Sequence, residues 1–139
     1  MTLRTAKVLW IRADPLSGGS RSQVEFPLEV GPFFGGSDHP QVGDELSISI
    51  LSAGVRFPPK KMDCHHNDVW RLNLPTPHQG HGPYRGTILC FERTDEPTVV
   101  RLTIVRPGTP LERMIRRATH RLGRFRTTLP NGHREYGFF

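Results

Sequence analysis

Glycine and proline interrupt this chain too often for long helices, with 14 glycines and 13 prolines among 139 residues. Proline lacks a backbone donor and glycine loses the most backbone entropy on ordering, so regular structure is confined to short pieces. Between the breaks lie apolar runs of strand length. Glu45-Leu-Ser-Ile-Ser-Ile-Leu51 alternates strictly, the pattern of a strand with one buried face. Lys7–Arg12, Gln23–Pro27, Gly54–Phe57, Asp68–Leu74, Gly86–Glu92 and Thr98–Val105 also read as strands, rich in β-branched and aromatic residues. The last two form a hairpin turned at Thr94–Pro97.

Two helical segments complete the set. Leu28–Phe34 reads as one or two turns stopped by Gly35-Gly36. Thr109-Pro-Leu-Glu112 is a capping box with proline at the first helical position. Leu111, Met114, Ile115, Ala118 and Leu122 follow at helical spacing until Gly123. This stripe is expected to plug the barrel, leaving Arg113, Arg116, Arg117 and Arg121 solvated or attracting DNA non-specifically. The expected architecture is mainly β: a seven-stranded open β-barrel with two short helices at its ends. One domain is expected over residues 1–123, with 124–139 a basic tail or the start of a linker.

The formal charge of +6 and pI of about 10.1 point to a polyanionic partner or to a surface kept basic for solubility. Arginine dominates, since lysine occurs only at positions 7, 60 and 61. The guanidinium fork suits bidentate contact with phosphate or guanine. Cys64 and Cys90 make no disulfide framework, and the sequence contains neither a secretory signal nor an apolar run of membrane-spanning length. A reduced, cytoplasmic setting without membrane or cofactor is expected.

The densest chemistry lies in residues 56–74. Arg56, Lys60, Lys61, His65, His66, Asn67 and Arg71 crowd a polar stretch held between two strands and read as a loop. Cations for phosphates, with amides and imidazoles for base edges, are the kit of a strand-borne reader of duplex DNA. A metal site built on Cys64, His65, His66, His78 and His81 is the rival reading, giving a metal-dependent hydrolase or nuclease. The paired spacing of structural zinc is absent, and adjacent histidines on an extended segment point in opposite directions. An RNA-binding or protein-interaction barrel is a third reading.

The element order, with Trp10-Ile-Arg12, then Ser17-Gly-Gly-Ser-Arg-Ser-Gln23, then Val24-Glu-Phe-Pro27 and Leu28–Phe34, resembles the DNA-binding pseudobarrel. That fold is shared by plant B-three-type transcription factors and the specificity domains of some restriction endonucleases, and the amino-terminal effector domain of the EcoRII type is most similar. The resemblance spans about residues 5–122. It implies two arms that grip double-stranded DNA from the major-groove side. The first would carry Arg12, Asp14, Ser17, Ser20, Arg21 and Gln23. The second would carry Arg56, Lys60, Lys61, Asp63, His65, His66, Asn67 and Arg71, with Pro58-Pro59 and Cys64-His65-His66 departing from the family pattern. The resemblance further implies the target-recognition domain of a restriction endonuclease, with cleavage in a separate domain after Phe139. No magnesium-binding nuclease pattern occurs in the chain itself.

Overall fold

A computed structural model describes residues 1–14, 22–66, 68–127 and 132–139, with His66 described by its backbone alone. The strands are β1 (Val8–Arg12), β2 (Gln23–Pro27), β3 (Glu45–Ser52), β4 (Val55–Arg56), β5 (Lys60–His66), β6 (Val69–Asn73), β7 (Ile88–Arg93), β8 (Val99–Val105), β9 (Arg121–Arg126) and β10 (His133–Phe138). Helix α1 spans Pro110–Ala118, and short 3-10 helices occupy Leu28–Phe34 and Pro77–Gln79. All the strands belong to one sheet in the order β2-β6-β5-β3-β8-β7-β1-β10-β9, with β4 paired to β3. Every pairing is antiparallel except β3 with β8.

The sheet curls into a nearly closed barrel. Leu9 and Ile11 of β1, Val24 and Phe26 of β2, Ile48 and Ile50 of β3, and Leu89 and Phe91 of β7 face inward and are fully buried. Alternation along these strands sends every second side chain into this core. Across the seam, Arg134 of β10 donates from Nη1 to the Glu25 carbonyl of β2 at 3.2 Å. The 3-10 helix Leu28–Phe34 covers one end, where Phe34 meets Phe26 and Phe91 edge to face at 5.4 and 5.7 Å between centroids.

Among the described residues ten strands stand where the sequence predicts seven. The three additions are β5, β9 and β10, all polar in composition. Among the described side chains of β5 only Met62 and Cys64 turn into the core, so Lys-Lys-Met-Asp-Cys-His-His looks like a loop. Phe125 of β9 packs against the core, as do the buried Tyr136 and Phe138 of β10, while Leu122, Arg124 and Arg126 on β9 and His133, Glu135 and Gly137 on β10 fill the alternate places. Residues 124–139 thus contribute part of β9 and all of β10 to the sheet.

Helix α1 also departs from expectation. Thr109 caps it through its side chain, accepting from the Glu112 N–H at 3.4 Å. It ends at Ala118 rather than Leu122, because Thr119 is already extended and the His120 N–H donates to the Phe138 carbonyl at 2.8 Å. Instead of plugging the barrel it lies outside, where Ile115 joins Trp10, Ile88 and Val105 in a separate small core. Met114 is 66% exposed and Leu111 40%. The indole N–H of Trp10 donates to Thr119 Oγ1 at 2.9 Å. Gly137 lets the indole lie flat on the sheet, since a Cβ there would stand 2.7 Å from three of its atoms.

Candidate nucleic-acid interface

Strand register and loop contacts define two ends of the barrel. The last residues of β1 and β8 (Arg12, Val105) share one end with the first residues of β7 and β10 (Ile88, His133). The Gln23–Asn73 pair joins them because Tyr84, whose carbonyl accepts from Thr87, donates to the Pro75 carbonyl while the Ala13 N–H donates to the Thr87 carbonyl. The start of β5 lies there too, because the Asn73 side-chain amide donates to the Lys61 carbonyl at 3.3 Å. The opposite end carries Pro27, His66 and Val69 and is the one covered by Leu28–Phe34.

At the Arg12 end the β1–β2 connection leaves and returns. Asp14 anchors its departure by accepting from the Gly86 N–H at 2.6 Å. Ser22 anchors its return, its carbonyl accepting from the Leu74 N–H at 2.7 Å. Gln23, Asn73, Lys61 and Ser47 stand abreast on four neighbouring strands. Their side chains share the outer face, because their neighbours Val24, Leu72, Met62 and Ile48 turn into the core. Gln23 Nε2 donates to Asn73 Oδ1 at 2.6 Å, which orients both amides. Lys60, one residue out of this row, turns toward the barrel mouth and donates from Nζ to Gln79 Oε1 at 2.6 Å.

The next row along the same face is Glu25, Arg71, Asp63 and Glu45. Arg71 pairs with the buried Glu25 at 3.4 Å, and Lys61 reaches Glu45 at 3.9 Å. Arg56 pairs with Glu96 at 3.5 Å across β3. His65 lies further along β5, toward the opposite end. The structure therefore brings together Arg12, Asp14, Gln23, Lys60 and Lys61, holds Asp63 and Arg71 at mid-barrel, and carries His65 and the His66 backbone away from them. Ser17, Ser20, Arg21 and Asn67 lie outside the described residues.

Two features escaped the sequence reading. Asn73 joins the row through its pairing with Gln23, which only strand register reveals. The other is the placement of charge. The first 105 residues contain 11 lysines and arginines and 11 carboxylates, so the whole formal charge of +6 comes from the last 34 residues, with eight arginines and two glutamates. Both glutamates are engaged. Arg116 bonds Glu112 at 2.9 Å and Glu135 at 2.6 Å while lying 4.9 Å over the Trp10 ring, and Arg12 comes within 3.6 Å of Glu135. The Glu112 carboxyl titrates below the usual range, chiefly because it accepts from the Gly108 N–H and then from Arg116. The Glu135 carboxylate holds the Arg116 proton more tightly than usual. Arg113, Arg117, Arg124 and Arg126 remain exposed on α1 and β9. The alternation of Arg124, Phe125 and Arg126 was the available signal, and a charged edge strand is easily read as a tail.

The cysteines and histidines go to separate places. Cys64 points into the core, and burial with nearby Asp44, Asp63 and Asp68 raises its pKa. Cys90 packs with the small core outside the barrel, and burial pushes its thiol up to about 11. His81 Nδ1 lies 2.7 Å from the Tyr84 hydroxyl and its Nε2 lies 2.8 Å from Ser52 Oγ. Among the described residues no three His, Cys, Asp or Glu side chains are grouped to hold a metal ion. None of the helices there is long and apolar enough to cross a membrane. No family model matches the chain, and a search of curated proteins finds no significant relative.

Proposed function

We propose that this chain binds double-stranded DNA at the Arg12 end of its barrel and reads a short sequence from the major-groove side. The observation that carries the reading is convergence. Both anchors of the β1–β2 connection, the oriented Gln23 and Asn73 amides, and the ammonium groups of Lys60 and Lys61 open at one end of one rigid sheet. Amides supply paired donors and acceptors for adenine edges, while lysine and arginine supply phosphate contacts. Strand-borne side chains hold their positions better than loop residues do. The restriction-endonuclease context, with cleavage in a separate domain, rests on the sequence resemblance alone.

Selection from randomised duplex DNA by the purified chain tests the reading. Enrichment of one short motif is the expected result. Retention of duplexes with no shared motif would remove sequence recognition.

A further inference from the structure

We infer that the outer face formed by α1 and β9 is a second docking surface, one that engages the phosphate backbone of duplex DNA independently of base sequence. Duplex DNA as its partner rests on the proposed function; the cationic face itself does not. All of the net charge lies in the last 34 residues, whose exposed arginines include Arg113 and Arg117 on α1 and Arg124 and Arg126 on β9, whereas the Gln23–Asn73–Lys61 row belongs to a part of the chain with no net charge. A surface of that second kind can discriminate bases but gains little from counterion release, which needs unbalanced cations. The C-terminal face supplies them.

Its geometry suits a backbone better than base edges. Arg124 and Arg126 are two residues apart on β9, so both project from the outer face about 7 Å apart. Arg113 and Arg117 are one helical turn apart on α1, about 6 Å along its axis. The carboxylates beside this face are each within reach of an arginine: Glu112 and Glu135 of Arg116 and Arg12, and Glu29 of Arg121 at 3.9 Å. The Arg12–Glu135 contact at 3.6 Å joins this face to the Arg12 end.

An anionic membrane is the competing partner for arginines beside exposed Met114 and Leu122. Interfacial helices insert a broad apolar face. Here the one buried residue of α1, Ile115, faces the protein, and no aromatic side chain is among the large exposed hydrophobic residues of the described chain. Those observations favour nucleic acid.

The test measures affinity of the full chain for a random-sequence duplex over a series of salt concentrations. The original protein is compared with a triple variant, Arg117→Gln, Arg124→Gln and Arg126→Gln. These exposed positions leave the core intact, which an unchanged melting temperature verifies. Loss of three phosphate contacts should flatten the slope of log affinity against log salt by about 2.7, at roughly 0.9 per contact. A selected motif, where one exists, should keep its preference over random duplex. An unchanged slope, or no binding of random duplex by the original protein, would overturn the inference. So would binding to vesicles of anionic phospholipid that exceeds duplex binding and disappears in the triple variant. A flattened slope without any enriched motif would keep this face and reject the base-reading surface. An enriched motif with an unchanged slope would do the reverse.

Discussion

At the scale of single residues, two positions, His81 and Gly137, carry measurable consequences. Tyr84 donates to the Pro75 carbonyl at 2.5 Å, and Ser52 Oγ lies 2.7 Å from the Leu102 carbonyl. His81 sits between these two hydroxyls, tying the segment after β6 to the end of β3. Burial lowers its pKa from the ordinary 6.5, so the folded protein favours the neutral ring. Its partners in these bonds are uncharged hydroxyls, and the ring of Phe57 packs edge-on at 5.2 Å between centroids. A lowered histidine pKa gives stability that is full above about pH 6.5 and declines as the unfolded chain takes up protons below it. His81→Gln should therefore cost about 1 kcal/mol at pH 7.5, and the gap from the original protein should shrink toward pH 5. Urea unfolding at the two pH values measures it, and a gap that widens in acid would show an imidazolium donating to both hydroxyls. Gly137→Ala has a different cause. The added methyl meets the Trp10 indole at 2.7 Å, against sheet and helix that cannot retreat, so a loss of about 1–3 kcal/mol is expected. Indole fluorescence should shift with it. Neither residue attracts notice in the sequence, because hydrogen-bond partners and close approaches are made by tertiary contact.

Among elements, legibility followed apolar content. β3, β7 and β8 and the hairpin joining the last two were readable because their inward residues are aliphatic or aromatic and their turns are polar. The N-terminus of α1 was readable from Thr109 and Glu112, whose capping contacts are local. Its C-terminus was not, since Leu122 continues the helical spacing while a tertiary bond from His120 to Phe138 draws the chain into β9. β10 was hidden by Arg134, a charged residue at an inward position. Arg134 is fully buried, and burial lowers its pKa to about 10 against the opposing attraction of Glu25 and Asp14. It bridges the seam by its bond to the Glu25 carbonyl, so Arg134→Ala should open the join between β2 and β10. A loss of about 3–5 kcal/mol is expected, the range for removing one member of a buried charged set. Arg134→Met keeps the volume without the charge and should recover part of that loss. Equal unfolding midpoints for the original protein and the alanine variant would show that the seam is held by other contacts.

For the whole molecule, a mainly β barrel was foreseeable from punctuation and alternation, but the surface that a barrel presents depends on where each strand ends. The polar stretch from Arg56 to Arg71 looked like one arm; as strands β4, β5 and β6 it distributes its residues along the length of the barrel. β5 covers seven residues, and at 3.3 Å per residue its ends lie about 20 Å apart. A major groove about 12 Å wide admits one end of such a strand and excludes the other. Duplex DNA seated at the Arg12 end would contact Lys61 and Asn73 but not His65 or Asp68. Asn73→Ala should therefore cost about 1–3 kcal/mol on the selected sequence and little on random duplex, the mark of a lost bidentate base contact. His65→Ala and Asp68→Ala should leave both affinities unchanged. Titration of the three variants against selected and random duplexes decides the matter. Losses at His65 and Asp68 with none at Asn73 would seat the DNA at the opposite end, beside Leu28–Phe34. Losses at all three would require the duplex to run along β5 rather than across its end.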